Sequence, residues 1–260
     1  MAYASTYSVG LKFMFFARKK PVVLTAYTDQ PLLAELAAPK FARQKLPRYY
    51  KTMPHRVKKD GASACPVPHS LEYTSTIRQC YGIHKYNTAG ILVPLWADYS
   101  IVSYQGDISC VGAKTFAEEW KFHSNNQAPG LLDPYNILKL ESPWVFRCSD
   151  ETTFAVLPNF YDMTEYLDKF TMQPAIDEYY NQSSTSFFLL FRKDLPDQEI
   201  FLKFGTPFMK IVPLTDRPVE LKIQLVNNLT NYMMTPPKHF FTGSMAKLKQ
   251  FAKQWNNDGD

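Results

Sequence analysis

Short stretches in which apolar and polar residues alternate, or in which β-branched and aromatic residues follow one another, recur along most of the chain. Residues that favour turns, chiefly Pro, Gly, Asn and Asp, separate them. The expected strands are Val22–Thr25, Ile91–Leu95, Tyr99–Tyr104, Ile108–Val111, Phe116–Phe122, Trp144–Cys148, Phe154–Leu157, Phe187–Phe191, Ile200–Phe204 and Phe208–Val212. So many short strands indicate a mainly β protein, built as a sandwich or a barrel.

Two polar turns predict which strands pair. Gln105–Asp107 separates two of the expected strands and should close a hairpin between them. Ser149–Glu151 lies between two more, which we expect to form a second pair.

Apolar residues spaced three or four positions apart predict a few helices. The first begins at Pro31 and should end before Pro39. Its apolar stripe consists of Leu32, Leu33, Leu36 and Ala37. Shorter helices are expected at Lys40–Lys45 and Val219–Asn228. An amphipathic C-terminal helix, capped by Ser244, has an apolar stripe of Met245, Leu248, Phe251, Ala252 and Trp255.

The composition predicts one folded domain of 260 residues. Hydrophobic residues make up 45% and aromatic residues 15% of the chain, which excludes a disordered protein. We expect a core β-sandwich at about 76–218, an N-terminal strand and helix arm at 1–60 and a C-terminal helical tail at 219–260. The segment Lys51–Tyr73 is expected to be an extended loop.

No stretch approaches the roughly 18 to 20 uncharged apolar residues that a membrane-spanning helix needs. The apolar patch Leu11–Phe16 is followed, not preceded, by the charges Arg18–Lys20, so it indicates a strand instead of a secretory signal. The sequence therefore predicts a soluble protein that is not secreted and has no membrane partner.

Positive charge is concentrated in one segment. Because the whole chain carries +5 and the segment 40–59 carries +8, the other 240 residues sum to −3. The eight cations, with no carboxylate among them, are Lys40, Arg43, Lys45, Arg48, Lys51, Arg56, Lys58 and Lys59. Phe41, Tyr49 and Tyr50 are interleaved with them, as in surfaces that hold phosphates and stack bases. A solvated helix face and an acidic protein partner are the alternative interpretations.

The cysteines are scattered, which suits a reducing compartment better than a disulfide scaffold. They are Cys65, Cys80, Cys110 and Cys148. Two C-x3-H spacings, Cys65 with His69 and Cys80 with His84, together offer the four ligands of a zinc site. Prolines interrupt the first pair and the short C-x2-C knuckle is missing, so we expect no metal and no cofactor.

Sequence motifs for catalysis are missing as well. The chain has no G-x-S-x-G elbow, Walker loop, G-x-G-x-x-G turn or H-E-x-x-H helix, and no His has an acidic residue two positions later. The carboxylate pairs Glu118 with Glu119 and Asp162 with Glu165 are weak evidence, since most surface carboxylates have no chemical role. We therefore assign no catalytic residues and lean against an enzyme.

Four segments in a fixed order resemble an uncharacterised protein family of tailed phages, common among marine T4-like phages and similar to a bacterial domain of unknown function. They are Ala38–Pro54, Thr76–Ile101, Glu141–Asn159 and Phe201–Leu214, within a likeness that covers roughly Ala38–Pro218. The resemblance implies a phage origin and a cupin-like or jelly-roll β-sandwich, and it implies no activity. The sequence departs from the family at Cys65–Tyr73 and Asp162–Ser186, where this protein is expected to have acquired its own partner.

The resemblance and the composition together favour a non-enzymatic structural or protein-interaction component of a phage particle. Its partners would be other phage proteins or further copies of itself, and its location the virion or the host cytoplasm. One alternative is an intracellular enzyme or small-molecule binder of cupin-like or β-clip type, since Phe204–Leu214 resembles the final strand of β-clip nucleotide hydrolases. Its pocket would be lined by His84, Trp96, Trp144 and Arg147. The other alternative is a nucleic-acid-binding accessory protein that uses the segment 40–59.

Overall fold

A computed structural model describes residues 19–58, 73–112, 120–122, 130, 132–179 and 185–229. The chain is mainly β, with 46% strand and 18% helix, which confirms the prediction of a mainly β protein. No helix in these ranges is long and apolar enough to cross a membrane. The expected strand Leu11–Phe16 and the expected helix from Ser244 lie outside the described residues.

The strands are short and follow one another closely. In chain order they are β1 (Val22–Thr28), β2 (Lys40–Phe41), β3 (Arg56–Lys58), β4 (Tyr73–Ser75), β5 (Ile91–Pro94), β6 (Tyr99–Tyr104), β7 (Asp107–Gly112), β8 (Trp120–Phe122), β9 (Tyr135–Glu141), β10 (Val145–Cys148), β11 (Thr153–Pro158), β12 (Thr171–Met172), β13 (Ala175–Glu178), β14 (Ser186–Arg192), β15 (Gln198–Leu202), β16 (Pro207–Pro213) and β17 (Val219–Leu225).

The described helices are also short. The α-helices are α1 (Pro31–Leu36), α2 (Arg48–Thr52) and α3 (Tyr81–Thr88). Single 3-10 turns occur at Ala42–Gln44, Ile77–Gln79, Phe160–Asp162 and Thr164–Tyr166.

The strands form five sheets, mostly by antiparallel pairing. The sheet orders are β10-β1-β17, β13-β11-β16-β5-β2, β12-β14-β9-β8, β15-β6-β7 and β3-β4. The pair β1 and β17 is parallel, with Leu24 opposite Leu221. The first and last described strands are thus neighbours, and both lie outside the expected core at 76–218.

A single hydrophobic core joins four of these sheets, whereas the residues of β3 and β4 lie outside it. In β1 the side chains of Val22, Leu24 and Ala26 are fully buried while the residues between them are partly exposed, as the alternation along a strand requires. The large rings of Trp96 and Trp144 are also fully buried in this core. The aromatic content of the chain therefore serves mainly to fill the space between sheets.

Several sequence predictions agree with the structure. The hairpin around Gln105–Asp107 is formed by β6 and β7, with Tyr104 opposite Asp107. The helix from Pro31 is present, and the strand expected at Phe116–Phe122 is present over its last three residues, the others lying outside the described ranges.

The second predicted strand pair is wrong. The two strands β10 and β11 both exist, but β10 pairs with β1, while β11 pairs with β13 and β16. The turn Ser149–Glu151 therefore carries the chain from one sheet to another. A short polar turn is compatible with either outcome, so local sequence does not decide it.

The predicted helix at Val219–Asn228 is also wrong, because Val219–Leu225 forms strand β17. Its residues alternate in type, and hydrogen bonding along the full length of β1 stabilises the extended form. Lys40–Lys45 is likewise not an α-helix, since it forms β2 and a 3-10 turn.

Three smaller predictions also need correction. The expected loop Lys51–Tyr73 includes the end of α2 and all of β3. Helix α3 lies where strands and turns were expected. In α1, Leu33 is buried, but Leu32 and Leu36 are 57% and 61% exposed, so the stripe packs inward over only part of its width.

Candidate functional site

The cations predicted as a basic segment lie together at the surface. Those described are Lys40, Arg43, Lys45, Arg48, Lys51, Arg56 and Lys58, called the basic face below; Lys59 lies outside the described residues. All except the half-buried Lys40 are exposed. Within the described ranges, no carboxylate oxygen lies within 4.0 Å of their charged nitrogens.

Four cations elsewhere in the described chain have an acidic partner within 4.0 Å. The observed ion pairs are Lys19–Asp216, Lys139–Glu141, Arg192–Asp194 and Arg217–Asp150. The basic face differs from these four sites because no described carboxylate oxygen lies within 4.0 Å of its charged nitrogens, and Asp162 acts on Lys45 only at longer range. Like charges held together at a surface attract anions and raise the rate at which charged partners associate.

Helix α2 carries part of the basic face. Hydrogen bonds to Arg78 and His84, which follow later in the same chain, hold this helix in place. The Arg78 guanidinium donates to the carbonyl oxygen of Met53 at 2.6 Å, just after the helix ends. The buried Tyr50 donates its hydroxyl proton to the carbonyl of Arg78 at 3.2 Å and also contacts Nδ1 of His84 at 2.9 Å. The direction of the bond between Tyr50 and His84 follows from the tautomer of His84, and in either direction the bond joins α2 to α3.

Beside α2, aromatic rings form a cluster around Tyr161. Its ring centroid lies 5.0 Å from that of Tyr49 and 5.1 Å from that of Phe160, and 5.8 Å from that of Tyr86. Asn87 donates to the Tyr49 hydroxyl at 3.2 Å. Burial raises the pKa of Tyr49 to about 12, so its phenol stays neutral at physiological pH.

A cavity of about 530 Å³ opens between these rings and the basic face. It is lined by Arg48, Tyr49, Ile77, Phe160, Tyr161, Asp162, Thr164 and Glu165. Arg48 and Tyr49 belong to α2, whereas the other wall comes from the two 3-10 turns that follow β11. The cavity therefore combines one cation, several ring faces, two carboxylates and a hydroxyl group.

Tyr86 joins the cavity wall to the sheet beneath it. Its hydroxyl donates to the carbonyl of Pro158 and accepts from the backbone N–H of Phe160 at 3.0 Å. These two bonds fix the chain at the start of the turn that carries Phe160 and Tyr161. Burial raises the pKa of Tyr86, so this hydroxyl keeps its proton.

Lys210 lies under the same cluster and is almost completely buried, at 1% exposure. It sits on the central strand β16, donates to the carbonyl of Tyr86 and lies 4.0 Å above the centroid of the Tyr86 ring. That carbonyl belongs to the last turn of α3, where backbone acceptors lack helical partners and a cation is favourable. Burial lowers the pKa of Lys210 to about 8.

The negative charge of Asp162 acts on Lys210 and raises its pKa, against the effect of burial. Burial raises the pKa of Asp162, and the hydrogen bond from Asn159 Nδ2 at 2.7 Å and the charges of Lys45 and Lys210 oppose that rise. Asn159 also donates to the carbonyl of Pro207 at 3.1 Å. Asp162 is thus oriented by Asn159 at the wall of the cavity.

Two further cavities continue along the chain from Phe160. One, of about 280 Å³, is largely apolar and is lined by Pro158, Phe160, Met163, Tyr166, Leu167, Phe170, Thr171 and Met172. The next, of about 400 Å³, shares Leu167, Phe170 and Thr171 with it. All three are lined in part by residues of the stretch 158–172, most of which falls in the segment Asp162–Ser186.

The pocket residues proposed from sequence occupy other places. Trp96 and Trp144 are fully buried core residues, His84 is exposed on α3, and Arg147 is partly buried on β10. The three cavities above are lined by different residues.

Of the four residues weighed for zinc, Cys65 and His69 lie outside the described residues. Cys80 is exposed and unoxidised. In the part of the chain that the structure describes, no three His, Cys, Asp or Glu side chains are grouped closely enough to hold a metal ion.

Lys210, Tyr86 and Asn159 were missed by sequence analysis. One signal was present for Lys210, a lone cation inside the apolar strand PFMKIVP. A buried strand accommodates such a residue when a partner is available, and the partner here comes from α3, a helix that was not predicted.

In comparisons with known proteins, no protein-family model, no curated protein and no solved structure matches this chain.

Proposed function

We propose that this protein is a non-enzymatic interaction component that binds an anionic partner through the basic face. The observation that carries the proposal is the set of exposed cations without a carboxylate within 4.0 Å among the described residues. Unpaired cations around an aromatic cavity provide both charge attraction and contact area. Asp162, which lines the cavity, is oriented by the hydrogen bond from Asn159, and Lys210, which lies beneath the aromatic cluster, holds α3 through the carbonyl of Tyr86.

The proposed setting is a phage particle, and the proposed fold type is a cupin-like or jelly-roll sandwich. The setting rests on the resemblance of the four sequence segments. The fold type is supported by four small, mainly antiparallel sheets that share one core. Mass spectrometry of purified particles tests the setting: a stoichiometric amount of this protein supports it, and absence from particles contradicts it.

Binding to immobilised heparin, a general polyanion, tests the use of the basic face. We expect the variant with Arg43, Lys45, Arg48 and Lys51 all changed to Gln to elute at a much lower salt concentration than the wild type, because four unpaired charges are lost. The matched control changes the exposed lysines Lys20, Lys193, Lys203 and Lys222 to Gln, which removes the same net charge elsewhere. Equal elution of the two variants would show that only overall charge matters and would contradict the proposal.

A further inference from the structure

The cavity at the basic face has a size and position that suit part of a polymer. Arg48 and Tyr49 line the cavity and also belong to the basic segment, so a chain that follows the cations passes the cavity opening. A volume of about 530 Å³ lies within the usual range of ligand sites and exceeds the volume of one base with its sugar.

The cavity wall presents aromatic surface for stacking. Phe160 is 42% exposed although it is a large apolar side chain, and it packs edge-on against Tyr161 with a centroid distance of 5.1 Å. Tyr49 supports Tyr161 from the other side at 5.0 Å. Rings held in this way can stack with a planar group without losing much side-chain freedom, and any nucleobase offers such a plane.

The acidic groups of the cavity distinguish between anionic partners. Asp162 and Glu165 line it beside Arg48, and among the described residues of the lining no further cation occurs. These carboxylates would repel the side chains of an acidic peptide and also phosphate groups. They can accept hydrogen bonds from the amino and imino groups of a base, as carboxylates do from the cytosine amino group. A nucleotide fits both parts of the site, because its base can enter the cavity while its phosphates contact the cations of the basic face.

We propose that the partner is single-stranded nucleic acid, with phosphates on the basic face and one base inserted in the cavity against Phe160 and Tyr161. This inference rests on the proposed function, because it names the anionic partner of the same face. A single strand is favoured over a duplex, since duplex bases are stacked and paired and would have to be flipped out to enter the cavity.

Fluorescence anisotropy with a labelled single-stranded oligonucleotide of mixed sequence tests the inference. We expect Phe160→Leu to weaken binding about tenfold through the loss of stacking. Its dependence on salt should stay unchanged, because the phosphate contacts remain. The matched control is Phe201→Leu, which alters a ring with 52% exposure on β15, and it should bind like the wild type. Near-ultraviolet circular dichroism of both variants confirms that they are folded.

The charge variant separates the two contributions. Changing Arg43, Lys45, Arg48 and Lys51 to Gln should reduce the slope of log K against log salt concentration by about 3, as expected for four lost phosphate contacts on a single strand. Equal affinity of the wild type and Phe160→Leu, or a duplex of the same sequence binding as tightly as the single strand, would overturn the inference. Tighter binding of poly-L-glutamate would overturn it as well and leave the basic face as a protein-binding site. Failure of every polyanion to bind would overturn the proposed function itself.

Discussion

Lys210 is a charged residue at the centre of a sheet, flanked by Leu157 on β11 and Leu92 on β5. Its ammonium group is compensated by one carbonyl, one aromatic ring and the field of Asp162. This is a small set of partners for a side chain with 1% exposure, which is why burial lowers its pKa to about 8. The residue therefore links the stability of the fold to pH.

We expect the contribution of Lys210 to stability to rise between pH 7 and pH 9.5. In the unfolded chain Lys210 has its ordinary pKa of 10.5, so above pH 8 the unfolded state binds more protons than the folded state and stability increases with pH. The gain attributable to Lys210 is at most about 2 kcal/mol. It is measured as the difference between urea unfolding curves of the wild type and Lys210→Met at each pH.

Lys203→Met is the control for that measurement, because Lys203 is exposed. Its stability should follow the pH dependence of the wild type. If Lys210→Met follows it too, the buried amine does not titrate in this range and the assignment of its pKa is wrong.

At the scale of elements, Gly90 decides how α3 joins β5. Its φ is +77°, a left-handed conformation that disfavours other residues, and its carbonyl accepts a hydrogen bond from the backbone of Ala42 at 3.0 Å. A Cβ atom at this position would lie 2.6 Å from the carbonyl oxygen of Ile211 on β16. The helix that supports the cavity wall therefore depends on close backbone packing at this glycine.

Gly90→Ala should destabilise the protein by about 3 kcal/mol, from backbone strain and from the contact with Ile211. Gly205→Ala is the matched control: φ is +74° there, but no atom lies within 4 Å of the added carbon. It should cost only about 1 kcal/mol. Thermal unfolding of both variants gives the comparison. Equal decreases in stability would mean that the contact with Ile211 on β16 does not contribute to the effect of Gly90→Ala.

At the scale of the whole molecule, Arg217 joins parts that are distant in sequence. Its guanidinium bonds to an Asp150 carboxylate oxygen at 2.7 Å and donates to the carbonyl of Lys20 at 2.9 Å. It thereby connects the turn after β10, the start of β1 and the chain entering β17. Strands β10, β1 and β17 form one sheet, so this contact joins segments that adjoin all three of its strands.

We expect Arg217→Met to destabilise the protein by about 1 to 2 kcal/mol, because it removes several hydrogen bonds from a partly buried position. Arg192→Met serves as the control, since Arg192 pairs with Asp194, two residues away, and both side chains are largely exposed. Removal of that pair should leave the stability nearly unchanged, because water screens an exposed ion pair. Chemical denaturation measures both, and an equally small loss for Arg217→Met would contradict its role in joining the strands.

Much of the architecture follows from local sequence. The β-branched run at Val22–Thr25 predicts a strand by its residue types. The alternation along Tyr99–Tyr104 predicts one because a strand with one buried face requires that period. The turn at Gln105–Asp107 predicts its hairpin because the two strands are adjacent in sequence. The charge of the segment 40–59 is also local information, and it predicted the surface on which our functional proposal rests.

The remaining features depend on partners that are remote in sequence. Strand β17 is extended because it pairs with β1, almost 200 positions earlier, and its local pattern also fits a short helix. Lys210 is tolerated because α3 brings the carbonyl and ring of Tyr86 to it. The cavity exists because α2 meets the turns after β11. The sequence by itself thus determined a mainly β chain with a localised positive charge, whereas the tertiary structure alone decided which strands pair and which side chains share a cavity, since those outcomes depend on contacts between distant segments.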